Sequence, residues 1–308
     1  MNIIPITDLS DSRLDPYRDL KREDVRRRGE LFIAEGRLVV QRLLASRFAT
    51  VSVLAEAKRL PWLTGRVAPD TPLLVVTQEL MREISGFNFH RGLLACGRRL
   101  PLEPAETLFA MSPPLAKPSA DTAVTDTAVT ETSGADTSGP PRSSAAETER
   151  LSTERIALGA ITVNDLENLG SLIRTAAAFG IGTLVMNPQT VDPLCRRVLR
   201  VSMGTALRMR FIDLADPRAW LEENERRGAW FTIATTLDGD SIPLSQVANH
   251  PEFHRRPKLL LMGNEGDGLP DEVRRACTVG AKIPMAPGVD SLNVAVAGAI
   301  AIYELVRR

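Results

Sequence analysis

PKLLLMGNEGDGLPDEV, residues 257–273, decides the fold. The unbroken apolar run from Leu259 to Met262 lacks the polar alternation of a half-exposed strand, so it reads as a strand buried on both faces. Gly263, Gly266 and Gly268 then turn the chain, and Asp271-Glu272-Val273 opens a helix. A buried strand that ends in a glycine-rich turn and feeds a helix belongs to an open parallel sheet, where ligands gather beyond the carboxyl ends of the strands. The glycine spacing matches neither the dinucleotide G-x-G-x-x-G nor the phosphate-binding G-x-x-x-x-G-K-[ST]. It reads either as a ligand-wrapping backbone or as a plain turn.

Working outward, the same alternation of strand and helix runs through the C-terminal half. RIALGAIT (155–162), TLVMNP (183–188), ALRMRFI (206–212), FTIATTL (231–237) and AKIPMA (281–286) read as strands. Between them NLGSLIRTAAAFG (168–180), RRVLRVSMG (196–204), WLEENERRGAW (220–230) and DEVRRACT (271–278) read as helices. SLNVAVAGAIAIYELVRR (291–308) closes the chain as an apolar helix whose last residues are basic, which suits the helix dipole. This pattern predicts a parallel sheet covered on both faces.

The first hundred residues repeat the theme on a smaller scale. LFIAEGRLVVQRLLASRF (31–48) is predicted to be a helix with Glu35-Gly36 near its start, and QELMREIS (78–85) another. TVSVLAE (50–56), PLLVVT (72–77) and GLLACGRRL (92–100) are predicted strands. A stretch of Ser, Thr, Ala, Pro and Asp with almost no large apolar residue separates the halves, and it cannot offset its own ordering entropy. The expected layout is a small α/β domain at 1–105, a disordered acidic linker at 106–152, and a larger α/β domain at 153–308.

Charge follows the same division. The whole chain is formally neutral, yet residues 1–100 hold 17 Lys+Arg against 12 Asp+Glu, while 101–154 hold 3 against 9. The N-terminal region is thus mildly basic, with Arg26, Arg27 and Arg28 at its densest point, a run interspersed with acidic residues that reads either as a solvated helix face or as a contact for a polyanion. Cys96, Cys195 and Cys277 are too scattered for a disulfide framework or a zinc site, and are expected to be reduced. With no membrane-length apolar run and no secretory leader pattern, the expected compartment is the cytoplasm.

Three polar clusters fall where ligands are expected. In VNDLENLGSLIRTAAAFG (163–180), Asn168 either caps the helix or faces a ligand, and Arg174 follows on the same helix. The glycine-rich turn adds Gly263, Glu265 and Gly266. In IPMAPGVDSLNV (283–294), Asp290 or Ser291 is expected to cap the last helix beside Asn293.

Taken together, N-x-x-x-N-x-G-x-x-x-R-x-A at 164–176, G-N-E-G-x-G-L at 263–269, and I-P-M followed by S-L-N-V at 283–294 resemble the SpoU or TrmH family of RNA 2′-O-methyltransferases, in the knotted SPOUT superfamily. The resemblance implies a parallel sheet with a C-terminal trefoil knot, a smaller N-terminal α/β domain that recruits RNA, a homodimer, and S-adenosylmethionine as cofactor. It implies donor binding at Gly263, Gly266, Ile283, Met285 and Leu292, with Asn168, Arg174, Glu265, Ser291 and Asn293 as the catalytic set. Arg26, Arg27, Arg28, His90 and Arg91 become candidate RNA contacts.

A ribose 2′-hydroxyl is a poor nucleophile and needs its developing oxyanion stabilised. Arginine is almost never deprotonated, so Arg174 is expected to orient and stabilise rather than take a proton. His250 and His254 have a metal-compatible spacing, but Pro251 intervenes and no third ligand is near, so no metal is expected. Trp62, Trp220 and Trp230 read as packing residues. The alternative is a non-catalytic RNA-binding protein of the same fold, such as a ribosome-assembly factor. A nucleotide-dependent Rossmann enzyme lacks its fingerprint here.

Overall fold

The computed structural model describes residues 2–18, 29–85, 92–112, 155–289 and 291–307. The basic run 21–28, His90, Arg91, Asp290 and residues 113–154, which include most of the linker expected at 106–152, lie outside the described residues.

Two sheets organise the described residues. The first joins β1 (Asn2–Pro5), β2 (Leu31–Glu35), β3 (Thr50–Glu56), β4 (Pro72–Val76) and β5 (Leu93–Arg98) in the order β1-β4-β3-β5-β2. Its β1, β4 and β3 run parallel, whereas β5 is antiparallel to both β3 and β2. LFIAE is therefore a strand and not the first turn of a helix. Gly36, at φ 84°, breaks the extended run, and the helix occupies only Arg37–Leu44. Pairing with β5 buries four of the five residues of that strand, which outweighs the helical spacing of its apolar residues.

The second sheet comprises β6 (Glu103–Pro104), β7 (Ile156–Ala160), β8 (Thr183–Met186), β9 (Arg210–Asp213), β10 (Phe231–Thr235), β11 (Ile242–Pro243), β12 (Lys258–Met262) and β13 (Val279–Lys282). All its pairings are parallel, in the order β11-β13-β10-β12-β7-β8-β9-β6. The apolar run Leu259–Met262 lies between β10 and β7 and is wholly buried, as a central parallel strand requires. Helices Leu166–Ala178, Pro217–Arg227 and Val294–Val306 connect and cover the strands. ALRMRFI divides: Gly204 in the left-handed region starts a 3-10 turn at Thr205–Arg208, and the strand begins only at Arg210.

The expected linker start at 106 is displaced. Glu103 pairs with Ile212 of β9, and the short helix Thr107–Met111 seats Leu108 in the core of the second sheet. Trp220 donates to the carbonyl of Ala105 at 3.2 Å and Trp230 to that of Leu108 at 2.8 Å, while Phe109 stacks on Trp220. Two tryptophans expected to pack thus hold residues 103–112 onto the second sheet.

The two sheets share a junction. Phe32 and Val39 belong to the same buried apolar cluster as Leu194 and Leu199. Arg99, just after β5, makes a two-pronged pair with Asp192, and Arg196 pairs with Glu35 where both side chains are nearly inaccessible to solvent. No described helix is long and apolar enough to cross a membrane.

Candidate active site

The site lies beyond the carboxyl ends of β7, β10 and β12. At the end of β7, Thr162 takes φ 58°, a left-handed conformation unfavourable for a β-branched residue. Two asparagines hold it there. Asn187, just past β8, accepts from the Thr162 amide at 2.8 Å and donates to its hydroxyl at 3.0 Å. Asn264, just past β12, donates to the Thr162 carbonyl at 3.1 Å.

The chain then enters the Leu166–Ala178 helix. Asp165, not Asn168, caps it, accepting from the amides of Glu167 and Asn168 at 2.9 and 2.8 Å. That leaves the Asn168 side chain free for tertiary bonds. Its amide nitrogen donates to Glu265 at 2.9 Å, and its oxygen accepts from Asn293 at 2.9 Å. Asn293 itself caps the Val294–Val306 helix, accepting from Ala295 and Val296 at 2.9 and 3.2 Å, so the cap expected at Asp290 or Ser291 sits two or three residues later.

The glycine-rich turn closes on itself. Asn264 and Gly268 exchange backbone hydrogen bonds of 2.9 and 3.1 Å, and the Asn264 side chain accepts from the amides of Gly266 and Asp267. At Gly263 a Cβ would lie 2.2 Å from the carbonyl carbon of Gly268, a distance no side chain can occupy. The turn and the 283–292 segment bound a cavity of about 280 Å³. Gly263, Gly266, Ile283, Met285 and Leu292 all line it, as do Glu265 and Ser291. Leu244, Met262, Ala297 and Ala301 supply apolar lining, and Asp238 and Arg274, which pair with each other, supply charge.

Asn168 and Asn293 stand beside this cavity through Glu265 rather than in its lining. Arg174 is exposed on the helix that carries Asn168 and does not line the cavity either. The candidate RNA contacts Arg26, Arg27, Arg28, His90 and Arg91 lie outside the described residues. Among the described residues no cluster of three or more His, Cys, Asp or Glu forms a metal site. His250 packs on Phe231, and His254 on Phe253. Asn187 was not singled out by sequence, and Asn264 entered only as a fixed position of G-N-E-G-x-G-L with no role given to it; a further signal for both is an asparagine directly or almost directly after an apolar strand.

The SpoU rRNA Methylase family profile matches residues 155–303. An uncharacterised tRNA/rRNA methyltransferase of Mycobacterium bovis is 34% identical over 100% of this chain and 93% of that protein. The 23S rRNA (guanosine-2′-O-)-methyltransferase RlmB of Bordetella pertussis is 32% identical over 47% of this chain and 57% of its own. Among solved structures, an AdoMet-bound rRNA methyltransferase from Sinorhizobium meliloti shares the fold, with a TM-score of 0.72 at 22% identity over 99% of this chain and 98% of that one. By its sequence profile and by a relative 34% identical over the whole of this chain, the chain belongs to the SpoU family of RNA methyltransferases.

Proposed function

We propose that the chain transfers a methyl group from S-adenosylmethionine to a ribose 2′-hydroxyl of structured ribosomal or transfer RNA. The observation that carries this reading is the junction of all three polar clusters: Asn293, Asn168 and Glu265 form one hydrogen-bonded line at the edge of a cavity with apolar lining. The cavity suits the donor, since Leu244, Met262 and Ala297 offer apolar surface to a purine and the Gly263 turn brings peptide groups close without side chains. Gly263, Gly266, Ile283, Met285 and Leu292 would hold it, and when bound it supplies a methyl group on a cationic sulfur.

The chain's own residues do the rest. Glu265, fixed by Asn168, presents an acceptor oxygen to the cavity and is placed to orient the ribose hydroxyl, with Ser291 as a second polar group in the lining. Arg174 stabilises the developing oxyanion by charge, because a guanidinium is far too weak a base to take the proton. Its side chain is exposed and forms no ion pair among the described residues, which leaves it available to an incoming ribose.

The finer architecture belongs to the same proposal. β12 lies between β10 and β7 although it follows β10 in sequence, and the turn after it meets the segment after β13, an arrangement that supports a C-terminal trefoil knot. The Val294–Val306 helix leaves Val296, Ile300 and Tyr303 exposed in one stripe, which supports a homodimer that covers them. The first sheet and its helices are assigned to RNA recruitment.

Calorimetry with S-adenosylmethionine is the first test, followed by transfer of labelled methyl to bulk ribosomal and transfer RNA from a strain lacking the protein. Label in alkali-resistant dinucleotides is the expected result. Absence of donor binding, or label confined to bases, would overturn the reading.

A further inference from the structure

Most arginines at the junction of the two sheets have carboxylate partners: Arg47 and Arg210 share Glu103, Arg99 holds Asp192, Arg196 holds Glu35 and Arg197 holds Glu167. Arg42, Arg174 and Arg208 differ. None of the three forms an ion pair among the described residues, although they come from three elements that meet: the Arg37–Leu44 helix, the Leu166–Ala178 helix and the Thr205–Arg208 turn. Arg208 and Arg174 are exposed, and Arg42 is partly buried.

The placement of Arg42 is built. Its guanidinium donates to the Met203 carbonyl at 2.5 Å, and Met203 takes φ 56°, a left-handed conformation that a residue with a Cβ adopts reluctantly. Gly204 follows at φ 81°, and a Cβ there would come within 3.3 Å of both the Arg42 Cδ and the Val39 Cα. The strained turn thus brings the first helix close and fixes one end of a guanidinium whose remaining donors are free to bind. Partial burial lowers the proton affinity of Arg42, and the charges of Arg208 and Arg174 lower it further, with no carboxylate counteracting them. Backbone strain maintained to gather like charges makes sense where an anion completes the set.

We propose that Arg42 and Arg208 form a seat for a backbone phosphate of the RNA substrate, beside Arg174, so that RNA held on the first sheet's side is set in register with the active-site helix. This rests on the RNA ribose methyltransferase reading above. The phosphate class rests on charge: three guanidiniums with no ion pair among the described residues suit an anion, and since Arg174 lies on the helix that carries Asn168, the RNA of the proposed function is the polyanion that brings it. An acidic protein segment is the competing occupant.

The test measures the salt dependence of binding of a uridine homopolymer and a stem-loop RNA to the full chain, with S-adenosylmethionine affinity read in parallel. Arg208→Gln alters an exposed residue with no ion pair among the described residues, so it leaves folding intact. It is expected to lower the slope of log K against log salt by about 0.7, the loss of one phosphate contact on single-stranded RNA. Arg42→Gln/Arg208→Gln, which empties the same one-phosphate seat, is expected to lower it no further, and Arg208→Lys to restore the parent slope. Donor affinity stays unchanged in each. An unaltered slope in the double variant overturns the seat, as does competition for it by polyglutamate with no change in RNA slope. Failure of the parent protein to bind donor sinks the methyltransferase reading instead, whatever the slopes show.

Discussion

Asn168 donates to Glu265 at 2.9 Å across 97 positions of sequence. The direction of that bond is imposed from the far side. Asn293 uses its side-chain oxygen to cap a helix, so only its nitrogen remains to donate to Asn168, which must accept there and donate to Glu265. Asn293→Asp keeps the cap but removes the donor, leaving Asn168 between two acceptors. We expect folding to be retained and single-turnover methyl transfer to fall roughly tenfold or more, the value of one hydrogen bond to a charged group. An unchanged rate at saturating donor would show that Glu265 needs no such orientation.

Gly263 and Gly266 sit three residues apart in the same turn but differ in the space around them. A Cβ on Gly263 would overlap the backbone of Gly268 and Leu269, whereas one on Gly266 would meet only the Asn264 side chain, at 3.4 Å. Gly263→Ala is therefore expected to open the turn and weaken donor binding well beyond tenfold. Gly266→Ala is expected to stay close to the parent. Calorimetry on both variants reads the contrast, and equal affinities would remove the turn from the donor site.

The second sheet was legible because its strands are short apolar runs bounded by turn residues, Leu259–Met262 most plainly. The ends of elements were less so. Asn164, Asp165 and Asn168 are all good caps, and only tertiary bonding shows that Asp165 takes that role and frees Asn168. The grip of Asn187 and Asn264 on Thr162 joins the ends of three strands that are neighbours in space but far apart in sequence. Strand Leu31–Glu35 was obscured because its apolar residues continue smoothly into those of the helix, although Gly36 marked the break. Residues 103–111 were assigned mostly to the linker because a two-residue strand and one helical turn carry too few apolar positions to show a period.

Lys258 opens β12 with its ammonium 4.6 Å from the centre of the Phe253 ring. Partial burial, with a smaller contribution from the nearby charge of Arg155, pushes its pKa down from 10.5 to about 8. Between these values the unfolded chain keeps a proton that the folded chain has released, so this residue's contribution to stability rises with pH from about 8 to about 10.5. Below that window both states are charged and the folded state carries the full desolvation cost. Lys258→Met is expected to raise Tm at neutral pH, with the gain shrinking as pH climbs through the window. The difference between variant and parent must be read, since the thiol of Cys277, pushed by burial up to about 12, changes stability in the opposite sense above pH 9. A gain constant with pH would assign the effect to packing alone.

Glu35 and Arg196 join the two sheets from opposite sides, Glu35 at the end of β2 and Arg196 at the start of the Arg196–Val201 helix, with 4% and 8% of their surfaces exposed. A buried pair adds little over an apolar replacement, but removing one partner leaves the other charge desolvated, a cost of about 3–5 kcal/mol. Glu35→Gln is expected to lower stability toward the bottom of that range, because glutamine still offers Arg196 one acceptor. Glu35→Leu/Arg196→Met should recover most of the loss. Urea unfolding followed separately by a probe on each sheet distinguishes where the cost falls. If the pair fastens the sheets together, the coincident transitions of the parent separate in Glu35→Gln, with the first sheet melting earlier, and coincide again in the double variant. A loss of the same size in both variants, with transitions still coincident, would instead make Glu35 a core residue of the first sheet with no part in holding the second.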